Sequence, residues 1–206
     1  MKILFGTRNK NKAIEAKAIF ASIAPNVQLI SLDEIDPNRL IEEPVEDGKS
    51  FYENSFIKAK YYYEQTKIPT LCDDSGICVD ALNGAPGIFS ARFSIGTKYQ
   101  ADTVDKANNI MLLDLMKTEQ NKNAHYACEI VYYDGNKIIS GYGEMQGEII
   151  DREIGNGGFG YDPLFYLPEY QKTLGEIDAQ TKNKISHRYF AICSVAQKIN
   201  KELFNE

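Results

Sequence analysis

The chain opens on a strand–helix–strand pattern, and this pattern limits the architecture more than any other feature. Ile3-Leu4-Phe5 is a short apolar run that ends in the turn Gly6-Thr7. Thr7 or Asn9 supplies an N-cap for a helix predicted over Lys10 to Ser22, in which Ile14, Ala18 and Ala21 share a face. Val27 to Leu32 reads as a second strand. Strands alternating with helices predict an α/β fold.

The later segments extend the same pattern. Asp33 to Gly48 is acidic and proline-bearing, which predicts mostly loop. Phe51 to Gln65 is uninterrupted by glycine or proline and repeats Phe56, Ala59 and Tyr63 at helical spacing. Thr70 to Val79 is an apolar strand that Asp73-Asp74-Ser75-Gly76 interrupts. Asn83-Gly84-Ala85-Pro86-Gly87 is turn chemistry, and Ala101 to Met116 is a further helix. Ala124 to Tyr133 and Lys137 to Gly141 flank Asp134-Gly135-Asn136 as a β-hairpin. Tyr189 to Phe204 carries Ile192, Val195, Ile199 and Leu203 in steps of three to four residues, a closing amphipathic helix.

No repeat or linker divides the 206 residues, so residues 1–206 are expected to form a single domain, long enough for one core or for two lobes around a cleft. A formal charge of −6 and a pI near 5.1 argue against a nucleic-acid partner, because a surface that grips a long polyanion carries a basic excess. Positioned lysines still accommodate a small anion. No run approaches the roughly 20 apolar residues of a membrane span, and no leader precedes the first strand, so the expected location is cytoplasmic, without a membrane partner. Cys72, Cys78, Cys128 and Cys193 lack metal-ligand spacing and read as buried, reduced thiols.

Four clusters carry chemistry. Thr7-Arg8-Asn9-Lys10-Asn11-Lys12 combines a strand-to-helix junction with hydroxyl, amide and cationic groups, a phosphate cradle or simply a solvated helix start. Asn54 and Lys58 lie four apart on one helix face, where they meet a polyphosphate or merely solvent. Asp73 and Asp74 inside an apolar strand are costly to desolvate without a cation, which Mg²⁺ shared with substrate phosphates supplies. Such carboxylates also activate water; the competing reading is a strand end that reaches solvent. Finally, Phe159 and Tyr161 flank Gly160, whose missing side chain lets a flat ring approach, and Asp162, Lys182, His187 and Arg188 add donors and acceptors suited to a phosphorylated base. The alternative there is a packed aromatic turn with a core histidine.

The pieces TRNKNKAIE, ENSFIKAK, PTLCDDSGICVDALNGAPGIFSARFS, GGFGYDPLF and KNKISHR, taken in this order, resemble the inosine triphosphate pyrophosphatase family over nearly the whole chain. The resemblance implies an elongated two-lobed α/β fold with a mixed sheet, flanking helices and a cleft between lobes, assembled as a homodimer. It implies Mg²⁺-dependent hydrolysis of non-standard purine nucleoside triphosphates (ITP, dITP, XTP) to the monophosphate and pyrophosphate. On this pattern Thr7 through Lys12 hold the triphosphate, Asp74 is the proton acceptor and a metal ligand, Ser75 contacts substrate and Lys58 contacts phosphate. Phe159 to Asp162, Lys182, His187 and Arg188 form the nucleoside side. A further acidic ligand precedes the ENS helix; the register from Gly48 reaches Val45, which has no ligand atom, and the assignment moves to Glu46, beside Asp73 and Asp74 as metal ligands. The competing classes are a nucleotide-binding regulator without turnover and a pyrophosphatase of related fold with a different base preference.

Overall fold

The computed structural model describes residues 1–201; Leu203 and Phe204 of the expected closing helix lie outside them. Strand β1 (Lys2–Phe5), helix α1 (Lys10–Ile23) and strand β2 (Gln28–Ser31) form the opening pattern, with β1 and β2 paired in parallel. Then come α2 (Leu32–Ile35), α3 (Phe51–Thr66), β3 (Thr70–Val79), α4 (Val104–Met116), β4 (Asn123–Tyr133) and β5 (Ile138–Ile149). The short strands β6 (Phe165–Leu167) and β7 (Lys172–Thr173) precede α5 (Ala179–Ile185) and α6 (His187–Ile199). All seven strands form one sheet in the order β2-β1-β3-β4-β5-β6-β7. The sheet is mixed, since β1 pairs β3 in parallel whereas β6 pairs β5 and β7 antiparallel. This confirms the expected mixed-sheet α/β class. Among the described residues no helix is long and apolar enough to cross a membrane.

Backbone contacts divide the chain into two compact units. The first comprises, among the described residues, 1–74, 128–143 and those from 186 onward. Its sheet obeys the two-residue period of a strand. Ile3, Phe5, Leu71, Cys128, Ile130 and Tyr132 face a core closed by Ala16, Ile19 and Phe20 of α1 and by Ile192, Val195 and Ile199 of α6. Leu4, Cys72 and Val131, one step out of phase, face a second core closed by Ala59 and Tyr62 of α3. Each fully buried Ile, Leu or Phe contributes roughly 1.5–3 kcal/mol. The face chosen by α1 differs from the expected one: Ile14, Ala18 and Ala21 are exposed. The Ile19 and Phe20 row removes more apolar area from water than a row with two alanines, so it wins. Helix α6 comes close to β5 because Gly141 and Gly143 have no side chain; a Cβ on Gly143 would lie 2.3 Å from Ala191 N and His187 O.

The second unit comprises residues 75–127 and 144–185. Ile77, Val79, Leu112, Met116, Tyr126, Ile149, Leu164 and Phe165 form its core. Thr103 caps α4 by accepting from Lys106 N at 3.2 Å.

One local expectation fails. Asp73 to Gly76 does not interrupt β3, which runs unbroken from Thr70 to Val79 with both aspartates buried. Partners for the carboxylates explain how.

Candidate active site

The period that sorts Leu71 from Cys72 also sorts Asp73 from Asp74. Asp73 is turned toward α1 and α6: Lys12 Nζ lies 3.2 Å from its Oδ2, and Arg188 Nε and Nη2 donate to the same oxygen at 3.2 and 3.0 Å. Glu15, one turn after Lys12 on α1, accepts from Arg188 Nη1. Burial raises the Asp73 pKa, but Lys12, Arg188 and Lys58 outweigh it and hold the carboxyl well below the usual range. Burial likewise opposes the Arg188 charge, and Asp73 with Glu15 more than restores it. Arg188 is 1% exposed. Its Nε, Nη1 and Nη2 are engaged by Asp73 and Glu15, which is where the structure places this expected base contact. Asp73 is likewise engaged by cations, on the opposite face of the strand from Asp74.

Asp74 is turned toward α3. Asn54 Nδ2 donates to its Oδ2 at 3.1 Å, and Lys58 Nζ lies 3.5 Å from its Oδ1. Asn54 Oδ1 accepts from Gly48 N at 2.9 Å, tethering the loop that carries Glu46. A Cβ at Gly48 would lie 2.6 Å from that oxygen, so the tether needs glycine. Ser50 starts α3 by accepting from Glu53 N at 3.1 Å, and this cap sets the register of Asn54 and Lys58. Lys58 also donates to Glu46 Oε2 at 2.8 Å, so one ammonium bridges two carboxylates. Burial disfavours the Lys58 charge, yet Asp74, Glu46 and Asp73 outweigh this and hold it protonated, well above the usual lysine range. Lys58 is therefore a cation and not a base. Asp74 differs from its neighbour: burial first, with Glu46 adding, raises its pKa despite Lys58 and Lys12.

The residues before and within the first turn of α1 part company. Thr7 Oγ1 accepts from Asn9 N, and Asn9 Oδ1 accepts from Lys12 N, both at 3.1 Å, which folds the junction. Lys12 turns inward to Asp73, while Lys10 and Asn11 are exposed. Arg8 donates to Asp33, to Asp36 and to the carbonyls of Asp36 and Ile41. It ties a loop, a role that its cluster in the sequence did not suggest. A cavity of about 240 Å³ opens beside Thr7, Asn9, Lys10 and Ser31.

In the second unit, Asp162 organises the glycine-rich turn. Its Oδ2 accepts from Phe159 N at 2.8 Å and from Lys182 Nζ at 2.6 Å. The Lys182 ammonium lies 4.8 Å from the Phe159 ring centre, a cation–π contact. Gly160, at φ +61°, has open space where a Cβ would stand. Tyr161 is not a second stacking face: it is 3% exposed, packs in the core and donates to Ser90 O at 2.9 Å. Ser75 follows Asp74 in β3, half-buried. In the first unit, His187 is buried at the first position of α6, which Ser186 caps by accepting from Tyr189 N at 3.1 Å.

The model of the Ham1 family matches residues 3–198. The chain belongs to the Ham1 family. It is similar to the dITP/XTP pyrophosphatase of Leptospira interrogans, 38% identical over 193 residues that cover 93% of each chain. The dITP/XTP pyrophosphatase of Aquifex aeolicus is 40% identical over 192 residues, with 91% of each covered. Among solved structures, the HAM1 protein of Coxiella burnetii superposes with a TM-score of 0.82 at 30% identity, over 98% of this chain and 99% of that one. Membership of the Ham1 family bears out the resemblance drawn from the ordered motifs, but the residues singled out in the sequence are not all that the structure gathers there. Glu15 was one omission; its signal is the i, i+3 spacing from Lys12. Asn109, treated below, gave no signal at all.

Proposed function

We propose that this Ham1 protein hydrolyses non-standard purine nucleoside triphosphates, such as dITP, ITP and XTP, to the monophosphate and pyrophosphate. The observation that carries the reading is the bridge of Lys58 between Asp74 and Glu46, with Asp74 buried and its pKa raised. A carboxylate made more basic by burial is suited to accept a proton from water near neutral pH. The bridging ammonium supplies fixed positive charge for phosphoryl oxygens. The names of the relatives give the substrate class.

Asp74 and Glu46 also suit Mg²⁺. Among the described residues no group of three or more His, Cys, Asp or Glu side chains is placed to hold a metal. Mg²⁺ is commonly held by one or two carboxylates and completed by substrate phosphates and water, which is the donor set available here. When bound, the ion would neutralise charge on the phosphate oxygens. Asp73 is assigned a supporting part, holding Lys12 and Arg188. Thr7, Asn9, Lys10, Asn11 and Lys12 are assigned to the triphosphate, Arg8 to bracing their loop, and Ser75 to a substrate contact. Phe159 and Gly160 receive the base, with Asp162 and Lys182 accepting and donating at its edge and Tyr161 as support. His187 donates to the 6-oxo group that separates hypoxanthine and xanthine from adenine. We also assign a homodimer, and a reducing compartment such as the cytoplasm, which the four free cysteines support.

Pyrophosphate release from ITP, GTP and ATP, each with Mg²⁺ and with excess EDTA, tests the reading. Rapid release from ITP that EDTA abolishes is expected, with GTP and ATP slow. Binding of ITP without release would instead make the protein a nucleotide-binding regulator.

A further inference from the structure

Helix α4 grips the Phe159–Asp162 turn through two side chains to which the proposed chemistry gives no role. Asp105 and Asn109 are four residues apart and so project from one face. Asp105 Oδ2 accepts from Gly160 N at 3.1 Å, and Asn109 Nδ2 donates to Gly160 O at 3.2 Å. That N–H and that carbonyl belong to the two peptide planes on either side of Gly160, so both planes are fixed. Asn109 Nδ2 also donates to Glu153 Oε1 at 2.7 Å, anchoring the clamp to the start of the same loop.

The clamp acts where the backbone is freest. Phe159 lies between Gly158 at φ +73° and Gly160 at φ +61°, and glycines in this region reorient their peptides with little steric cost. Asp162 holds the N–H of Phe159 from one side. The following peptide is held by α4 through the Gly160 N–H, while its carbonyl, Phe159 O, accepts from Asp162 N at 3.3 Å, and α4 also holds the Gly160 carbonyl. Asn109 is 4% exposed and its Oδ1 has no hydrogen-bond partner among the described residues, a cost of about 1–3 kcal/mol that an apolar side chain would avoid. What the amide provides in return is its pair of N–H donors. The neighbouring Asn108 is spent differently, accepting from Ser94 N at 2.8 Å and donating to Ser90 O at 3.1 Å, which also receives the Tyr161 hydroxyl.

We propose that Asn109, assisted by Asp105, is a positioning residue that orients the Phe159 ring for the purine base. Helix α4 thereby sets base affinity without touching the substrate. The inference rests on the assignment of the base to Phe159. It predicts a loss confined to KM, because the phosphate-handling residues belong to other elements.

The test pairs Asn109→Asp with Glu153→Gln. The first change keeps the shape and removes both N–H donors; the second returns a donor across the Glu153 contact. The double variant therefore keeps the helix-to-loop hydrogen bond and loses only the one to Gly160. KM for ITP is expected to rise about tenfold, the size of one well-made hydrogen bond. The expected kcat stays within about twofold, with thermal midpoint and inhibition by pyrophosphate unchanged. An unchanged KM, or a fall in kcat that follows a lowered thermal midpoint, would overturn the clamp. Phe159→Ala separates the two levels of the argument. If it raises KM and the double variant does not, the clamp alone fails; if it leaves KM unchanged, the base assignment fails first.

Discussion

Asp73 and Asp74 are the same residue type, adjacent in one strand and both buried, yet the fold treats them oppositely. Asp73 receives Lys12 and Arg188 and is held firmly ionised. Asp74 receives an amide and a lysine shared with Glu46, and its ionised form is disfavoured. The difference comes from the strand period alone, which delivers one carboxylate to α1 and α6 and the next to α3. A buried charge that is fully matched serves stability, while one left under-compensated retains reactivity.

The largest effect that tests this contrast is on turnover. Asp74→Asn is expected to lower kcat on the order of 10²–10⁴-fold, with folding stability unchanged or slightly raised, because the variant removes a poorly compensated buried carboxylate. Steady-state kinetics beside a urea titration decide it, and near-normal kcat would remove Asp74 from its role. Asp73→Asn should do the reverse in kind. It breaks the described ion pair of Lys12 and leaves Arg188 with Glu15 as its remaining described carboxylate partner, and unfolding free energy should fall by about 3–5 kcal/mol. Equal stability of the two variants would erase the contrast.

The smallest effect uses Asp36, a carboxylate held by an arginine in the loop after α2. Burial raises its pKa, but the N–H groups of Ile41 and Leu40 and the Arg8 guanidinium outweigh this and depress it. A depressed folded pKa contributes stability above the ordinary value of 3.8, and that contribution is lost as the pH falls below it. Asp36→Asn should thus be less stable than the parent at about pH 6, with the gap narrowing as the medium is acidified. A gap that widens on acidification would reverse the assigned sign.

Much of this was legible in the sequence. Helix α1 announced itself through its capping residue and α3 and α6 through apolar spacing, and the motif order named the family. The unbroken course of β3 was not legible, because two aspartates in an apolar run look like an interruption until Lys12, Asn54, Lys58 and Arg188 are placed around them from three distant helices. The misassigned face of α1 shows the same limit, since two apolar rows compete and only packing decides. Strands β6 and β7 are too short to carry a period. Arg188 and Tyr161 have side chains that suit a ligand, and the sequence does not show how deeply the fold buries them.

The bare backbone of Gly143 has a consequence for anyone varying this enzyme. It is remote in sequence from every assigned substrate contact, His187 at the start of α6 included, and it carries no functional group. Yet any side chain there collides with the His187 carbonyl and the Ala191 amide, and relief requires α6 to move outward. That displacement would draw Arg188 away from Asp73. In a saturation-mutagenesis library, position 143 should therefore behave as a hidden dead end, its variants lost alongside those of the charged residues although the charges themselves are intact.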